Sequence, residues 1–258
     1  MRNVWAVATN TFREAVRDRV LYNLVFFALL MMGAAILVGQ ISIGIEESVM
    51  ASLGLSAISI VGIFIAVFIG VGLVSKEMDK RTLYALLAKP VHRWEFLLGK
   101  FCGLVMTLAV NTAAMAVGLY IALWYVKHPL GSSDWYLLVA VYLIWLKLAL
   151  IVALAMLFSC FTTPFLAILF TLGIYVAGLF AVDLRTMQAV DLTPAAMSMF
   201  KGISYVLPNF ENFNVMASVV HGRSVPATLV AQDTGYTIVY SGIVLIAASL
   251  VFARRNLK

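Results

Sequence analysis

Charge is what this sequence has least of. Of 258 residues only 12% are Asp, Glu, Lys or Arg, against about 25% in an ordinary soluble domain. A soluble fold of this length must cover a large surface with polar groups, and twelve acids with eighteen bases are too few. With 63% of the chain hydrophobic, the surrounding solvent must be lipid. The net charge of +6 does not indicate a nucleic-acid partner, because the bases sit in short blocks between apolar runs instead of on one soluble face. Cysteine is nearly absent. Cys102 and Cys160 fall at the cytoplasmic ends of predicted helices and outside any C-x-x-C pair, so thiols are expected and neither a disulfide nor a metal pair. The three histidines, His92, His128 and His221, all lie in loops, and neither H-E-x-x-H nor G-x-S-x-G occurs, which argues against catalysis within the membrane. No G-x-x-x-x-G-K-[ST] loop is present, since Gly99-Lys100 lacks both the earlier glycine and the following hydroxyl. Any ATP and Mg must therefore be bound by another chain, and no cofactor is expected in this one.

What the sequence has in abundance is long apolar runs. Residues 20–39, 50–74, 101–126, 135–158, 165–183 and 236–252 are each long enough to approach or exceed the roughly 20 residues that cross a bilayer as helix. The first is too long for the 7–15-residue core of a cleaved signal and reads as a retained helix. The fourth and fifth runs are parted only by Ser159 to Pro164, where hydroxyl residues and a proline mark a tight turn. No Asp or Glu falls in the middle of any run, which disfavours proton or sodium coupling. The bases orient the six spans. Arg2, Arg13, Arg17, Arg19, Lys76, Lys80, Arg81, Lys89, Arg93, Lys100, Arg254, Arg255 and Lys258 share one side, while only Lys127, Arg185, Lys201 and Arg223 occupy the other, beside Glu46 and Glu47. The positive-inside rule puts both termini in the cytoplasm of a multi-pass protein of the inner (plasma) membrane.

Two segments outside the spans are amphipathic. Over residues 1–19, Trp5, Ala8, Phe12 and Val16 share one helical face, the pattern of a helix lying in the membrane surface. In the external segment 184–235, the apolar residues between Pro194 and Phe213 predict one or two short re-entrant helices before the last span. Stripes of small residues, Gly62–Ala66–Gly70 and Gly173–Ala177–Ala181, predict helix–helix seams. Copper could be met by soft ligands on the outer side, where His128, His221, Met187, Met197, Met199 and Met216 lie. Gap-filling methionines on an amphipathic helix are the simpler reading.

The most informative stretch is the loop 75–100. Its first half reads as a short helix with Leu83, Leu86 and Leu87 on one face, rimmed by Lys80, Arg81 and Lys89 and stopped before Pro90. Its second half restarts a helix that enters the third span. Exposed leucines within a basic rim suit the groove of a partner protein.

These residues carry a resemblance. Glu77, Lys80-Arg81-Thr82-Leu83, Leu86-Leu87-Ala88-Lys89-Pro90-Val91, Arg93, Phe96 and Gly99-Lys100 resemble the loop signature of type-2 ABC transporter permeases, and Phe158 to Pro164 and Tyr205 to Asn209 resemble later segments of that family. Within it the chain is most similar to the short permeases grouped with the copper-site maturation permease of nitrous-oxide reductase. The resemblance spans the chain and implies an all-α integral membrane protein: one permease domain over 1–258, with an interfacial helix, six transmembrane helices, a coupling helix between spans 2 and 3, and external re-entrant helices. It implies that Glu77, Arg81, Thr82, Leu83, Leu86, Leu87, Pro90 and Arg93 couple to a separate ABC ATPase. Two copies of that ATPase would serve a homodimer of this chain, which would form the translocation pathway. Lys147 departs from the pattern, being a charge in mid-span. It snorkels to water, or it faces a wet cavity and meets an anionic substrate or lipid headgroup, or desolvation leaves it deprotonated. The alternative function is a non-transporting membrane scaffold that relays ATPase movement to an external partner protein. Nothing in the spans is chemically selective enough to name a substrate.

Overall fold

The computed structural model describes residues 2–17, 19–41, 45–79, 92–126, 131, 134–181, 202 and 204–254. These residues form helices and connecting turns, with no strand among them. In chain order the helices are α1 (Arg2–Val16), α2 (Arg19–Ile41), α3 (Glu46–Asp79), α4 (Arg93–Val126), α5 (Trp135–Ser159), α6 (Pro164–Leu179), α7 (Met216–Val220) and α8 (Ala227–Arg254), with a 3-10 turn at Glu211–Phe213. Four stretches, Glu46–Leu73, Trp94–Val126, Trp135–Ser159 and Ala227–Phe252, are long and apolar enough to cross a membrane. Two shorter apolar helical stretches are Ala28–Val38 and Pro164–Leu179. Helices suit this role because every backbone polar group is satisfied within its own segment.

Several helices outrun the apolar runs that predict them. α3 begins at Glu46, not Met50, and continues to Asp79; α4 begins at Arg93, not Phe101; α8 begins at Ala227, not Tyr236. Hydropathy marks the part of a helix that suits lipid, but once nucleated the hydrogen-bonded ladder propagates into polar sequence at little cost. The turn between α5 and α6 is as the sequence predicts. Thr162 folds its hydroxyl back to the Phe158 carbonyl at 2.8 Å, and Pro164 opens α6 at a position where its missing N–H costs nothing.

α5 is the hub, packed against α3, α4, α6, α7 and α8. It is apolar on all sides, which is what a helix surrounded by others requires. The predicted seam on α3 is present. A Cβ at Gly62 would lie 2.6 Å from Leu148 Cδ1, and one at Gly70 would lie 3.2 Å from Ala155 Cβ, so the small residues let α3 and α5 approach closely and run in the same direction. The seam predicted on α6 differs. Gly173 faces open space, and the close approach occurs instead at Gly178, against the Pro208 carbonyl and the Phe210 ring.

α1 has its largest contact with α4. Asn3 meets Glu95, Val4 and Val7 crowd Gly99, and Ala8 and Thr11 crowd Gly103. The pairings advance together along both chains, so the helices lie side by side in one direction. The buried side of α1 is therefore the small-residue stripe Ala8, Thr11 and Ala15, whereas Trp5 on the expected apolar face is 65% exposed. α4, at 34 residues, is about 51 Å long. That exceeds the roughly 30 Å of hydrocarbon, and α1 covers its overhanging first turns.

The described part of the external segment folds back onto the bundle. The Phe210 N–H donates to the Gly178 carbonyl at 3.3 Å, the Asn209 N–H donates to the Tyr236 hydroxyl at 3.0 Å, and Phe210 and Phe213 are buried. The start of the predicted re-entrant stretch, 194–201, lies outside the described residues.

Candidate functional site

The two stems of the coupling segment lie at one end of the bundle. Glu77 falls in the last turns of α3, and Arg93 is the first residue of α4. Arg81, Thr82, Leu83, Leu86, Leu87 and Pro90 lie outside the described residues. The stems are tied together. Lys100, 2% exposed, donates to the Leu73 carbonyl of α3 at 3.4 Å, and its ammonium stands 5.6 Å from the centre of the Phe96 ring. Phe96 in turn stacks on Phe252 of α8 at 6.5 Å. At the start of α4 the Glu95 carboxylate accepts the His92 N–H at 3.1 Å and the Asn3 side-chain amide of α1 at 3.3 Å. The first accepts an N–H left without an intrahelical partner at a helix start, and the second joins α1 to the same turn. α1, α3, α4 and α8 thus converge on one collar where α3 ends and α4 begins. Sequence reasoning noted Lys100 and Phe96 as part of the loop pattern but missed Asn3 and Glu95, whose pairing joins residues far apart in the chain.

Lys147 lies on the α3–α5 seam. It is 8% exposed, and its Nζ donates to Ser59 Oγ at 2.6 Å. Glu211 lies in the 3-10 turn that packs on α5. Ser59 belongs to a hydroxyl stripe on α3, in which Ser52 and Ser56 donate to Met216 Sδ at 3.8 and 3.5 Å. The stripe leads toward the start of α3 and a cavity of about 290 Å³ whose polar lining is Glu47, Ser48, Asp134 and His221, with Gly222 also in its wall. Gly222 has φ 69°, a left-handed conformation that glycine adopts without strain. The serines at 52, 56 and 59 recur at helical spacing, a signal present in the sequence and passed over because serine is ordinary in membrane helices.

Among the described residues no group of three or more His, Cys, Asp or Glu side chains is placed to hold a metal ion. Of the soft outer-side ligands, His221 lines the cavity and Met216 is engaged by the two serines. His128, Met187, Met197 and Met199 lie outside the described residues.

A family model described as ABC-2 family transporter protein matches residues 5–257. The chain belongs to that family. No curated protein matches the chain. Membership of the ABC-2 family, with the long apolar helices, identifies a multi-pass membrane protein of a transporter. Such chains are membrane subunits and are generally not catalytic themselves.

Proposed function

We propose that this ABC-2 chain is the transmembrane subunit of an ATP-driven transporter, that it forms the translocation pathway, and that a separate ABC ATPase drives it. The observation that carries the reading is the family match along nearly the whole chain, in a sequence that has no phosphate-binding loop of its own. In this reading the six apolar segments all cross the inner membrane with both ends cytoplasmic, and two copies of the chain pair with two ATPases that bind the ATP and Mg. Residues 75–100 are the coupling segment, with Glu77, Arg81, Thr82, Leu83, Leu86, Leu87, Pro90 and Arg93 at or beside the docking surface. The collar of Lys100, Phe96, Phe252, Glu95 and Asn3 supports this role, because a segment that must move helices needs stems fixed to them. Lys147 serves the pathway as a positioning residue, holding α5 to Ser59 on α3.

The test is copurification. Leu83→Asp with Leu86→Asp would place charge in the apolar groove of the ATPase, where an unpaired buried charge costs about 3–5 kcal/mol. The ATPase should be lost from the purified complex while membrane insertion is retained. Undiminished copurification would refute docking through this segment.

A further inference from the structure

The buried face of α8 changes character midway. Its outer half presents Asp233, Thr237 and Ser241, and its inner half presents Val244, Ala248 and Phe252. The opposite face carries exposed Ile238, Val239, Ile243, Ile246 and Leu250 and suits lipid. Asp233 was expected outside the membrane because the last span was placed from Tyr236. Instead it lies in the second turn of an apolar helix that begins at Ala227. It is 3% exposed, and Asn111 of α4 at 6% and Ser241 at 4%, two turns further along the same face of α8, are also buried.

Asp233 Oδ2, Ser241 Oγ and Asn111 Nδ2 have no hydrogen-bond partner. Buried polar atoms in native proteins are nearly always bonded, and an ionisable side chain within a span usually marks a pathway for substrate or ions. Two contacts set the level of Asn111 against α8. Phe96 stacks on Phe252, and equal steps from there along the antiparallel helices bring Asn111 level with Thr237. The Trp145 indole donates to the Val105 carbonyl, and Tyr142 shares a hydrogen bond with Thr234, which brings Asn111 level with Ala231. Asp233 lies between those levels. Lys147 is directed to Ser59 of α3. The Tyr142 and Trp145 rings, 5.8 Å apart, stand on the side of α5 that turns toward α4 and α8.

We propose that Asp233, on the buried face of α8 and at the level of Asn111 of α4, is an intramembrane binding site for an organic cation, the positively charged group of the transported molecule. A carboxylate supplies the counter-charge that an apolar cation needs after leaving water, and the faces of aromatic rings add cation–π attraction. The apolar walls of the seam suit the carbon skeleton around the charge. The proposal rests on the transporter reading for its role, but the site can be tested without ATP.

The experiment uses the purified protein in lipid nanodiscs, with tetraphenylphosphonium as probe and tetraphenylborate as the anion of matching shape. Dicyclohexylcarbodiimide, which reacts with carboxyl groups in apolar surroundings, should modify Asp233, as located by peptide mass. The phosphonium at about ten times its Kd should slow that modification about tenfold, since the occupied site is then shielded for all but about a tenth of the time. It should also raise the melting temperature of the wild type but not of Asp233→Asn. Absence of modification, modification indifferent to the cation, or equal protection by the borate would each overturn the proposal. If Asp233→Asn does not fold, the protection measured on the wild type still decides. Copurification of an ATPase is scored separately, so failure of the transporter reading is distinguishable from failure of the cation site.

Discussion

At the scale of single residues, the Lys147–Ser59 contact is the one most open to measurement. A lysine at the bilayer centre costs about 2.5–3.5 kcal/mol on insertion scales, and here the amine turns to a hydroxyl on the neighbouring helix at 2.6 Å. Interhelical hydrogen bonds within membranes are worth about 0.6 kcal/mol on average and up to about 1.7. A double-mutant cycle of Lys147→Met with Ser59→Ala, read by unfolding in denaturing detergent, should give a coupling energy in that range. A coupling indistinguishable from zero would mean that the bond does not act. Glycines allow a second test. Gly103→Leu would drive a side chain into the Ala8 carbonyl, 2.5 Å from where a Cβ would stand, and overpacking of this kind costs about 1–3 kcal/mol. Gly173→Leu meets nothing within 4 Å and should change folding stability by less than about 0.5 kcal/mol. Equal thermal destabilisation of the two variants would contradict the α1–α4 packing.

At the scale of elements, α1 is tied to the helix that follows the proposed coupling segment. α1 is held to α4 through Gly99, Gly103 and the Asn3–Glu95 bond, and α4 is the helix into which the coupling segment feeds. Glu95→Gln keeps the shape but weakens two hydrogen bonds whose acceptor is charged. Hydrogen bonds to charged groups are stronger than those to neutral ones, and these lie at an edge, where solvent screens them. The expected result is freer proteolysis in the first turns of α1 while ATPase copurification is kept. Unchanged proteolysis would show that the glycine contacts alone hold α1 in place. α5 is a contrasting case, since a helix that is apolar on every side suits the central position it takes in the bundle.

At the scale of the whole molecule, the proposed six-span topology makes a direct prediction. Cysteines placed at Glu46, Ser132 and Arg223 should react with an impermeant thiol reagent in intact cells, whereas cysteines at Lys80 and Lys258 should not. The motive is the thirteen-to-four imbalance of bases across the spans. Labelling of Lys80→Cys from outside would invert the arrangement. The contacts agree with alternating passage. α3 and α5 run in one direction, paired through Gly62–Leu148 and Gly70–Ala155, and α4 runs against α3, paired through Gly54–Leu119 and Lys100–Leu73.

The membrane class, the helical architecture, the tight turn at Pro164 and the α3 seam were all legible in the sequence. Each depends on local composition or on periodicity along one segment, and lipid leaves few alternatives to a helix. The loop pattern from Glu77 to Lys100 was legible too, and the family match along residues 5–257 agrees with it. The partners of the buried polar groups were not legible. Nothing local shows that Lys147 reaches Ser59, that Asn3 reaches Glu95, or that Gly178 and not Gly173 meets another segment, because each pairs residues from separate helices whose rotation is fixed only by packing. Asp233 shows the same division most clearly. Hydropathy assigned it to the outside because a carboxylate lowers any apolar average, and only the packed bundle, by carrying α8 outward to Ala227 and turning Asp233, Thr237 and Ser241 inward, brings it into the protein interior.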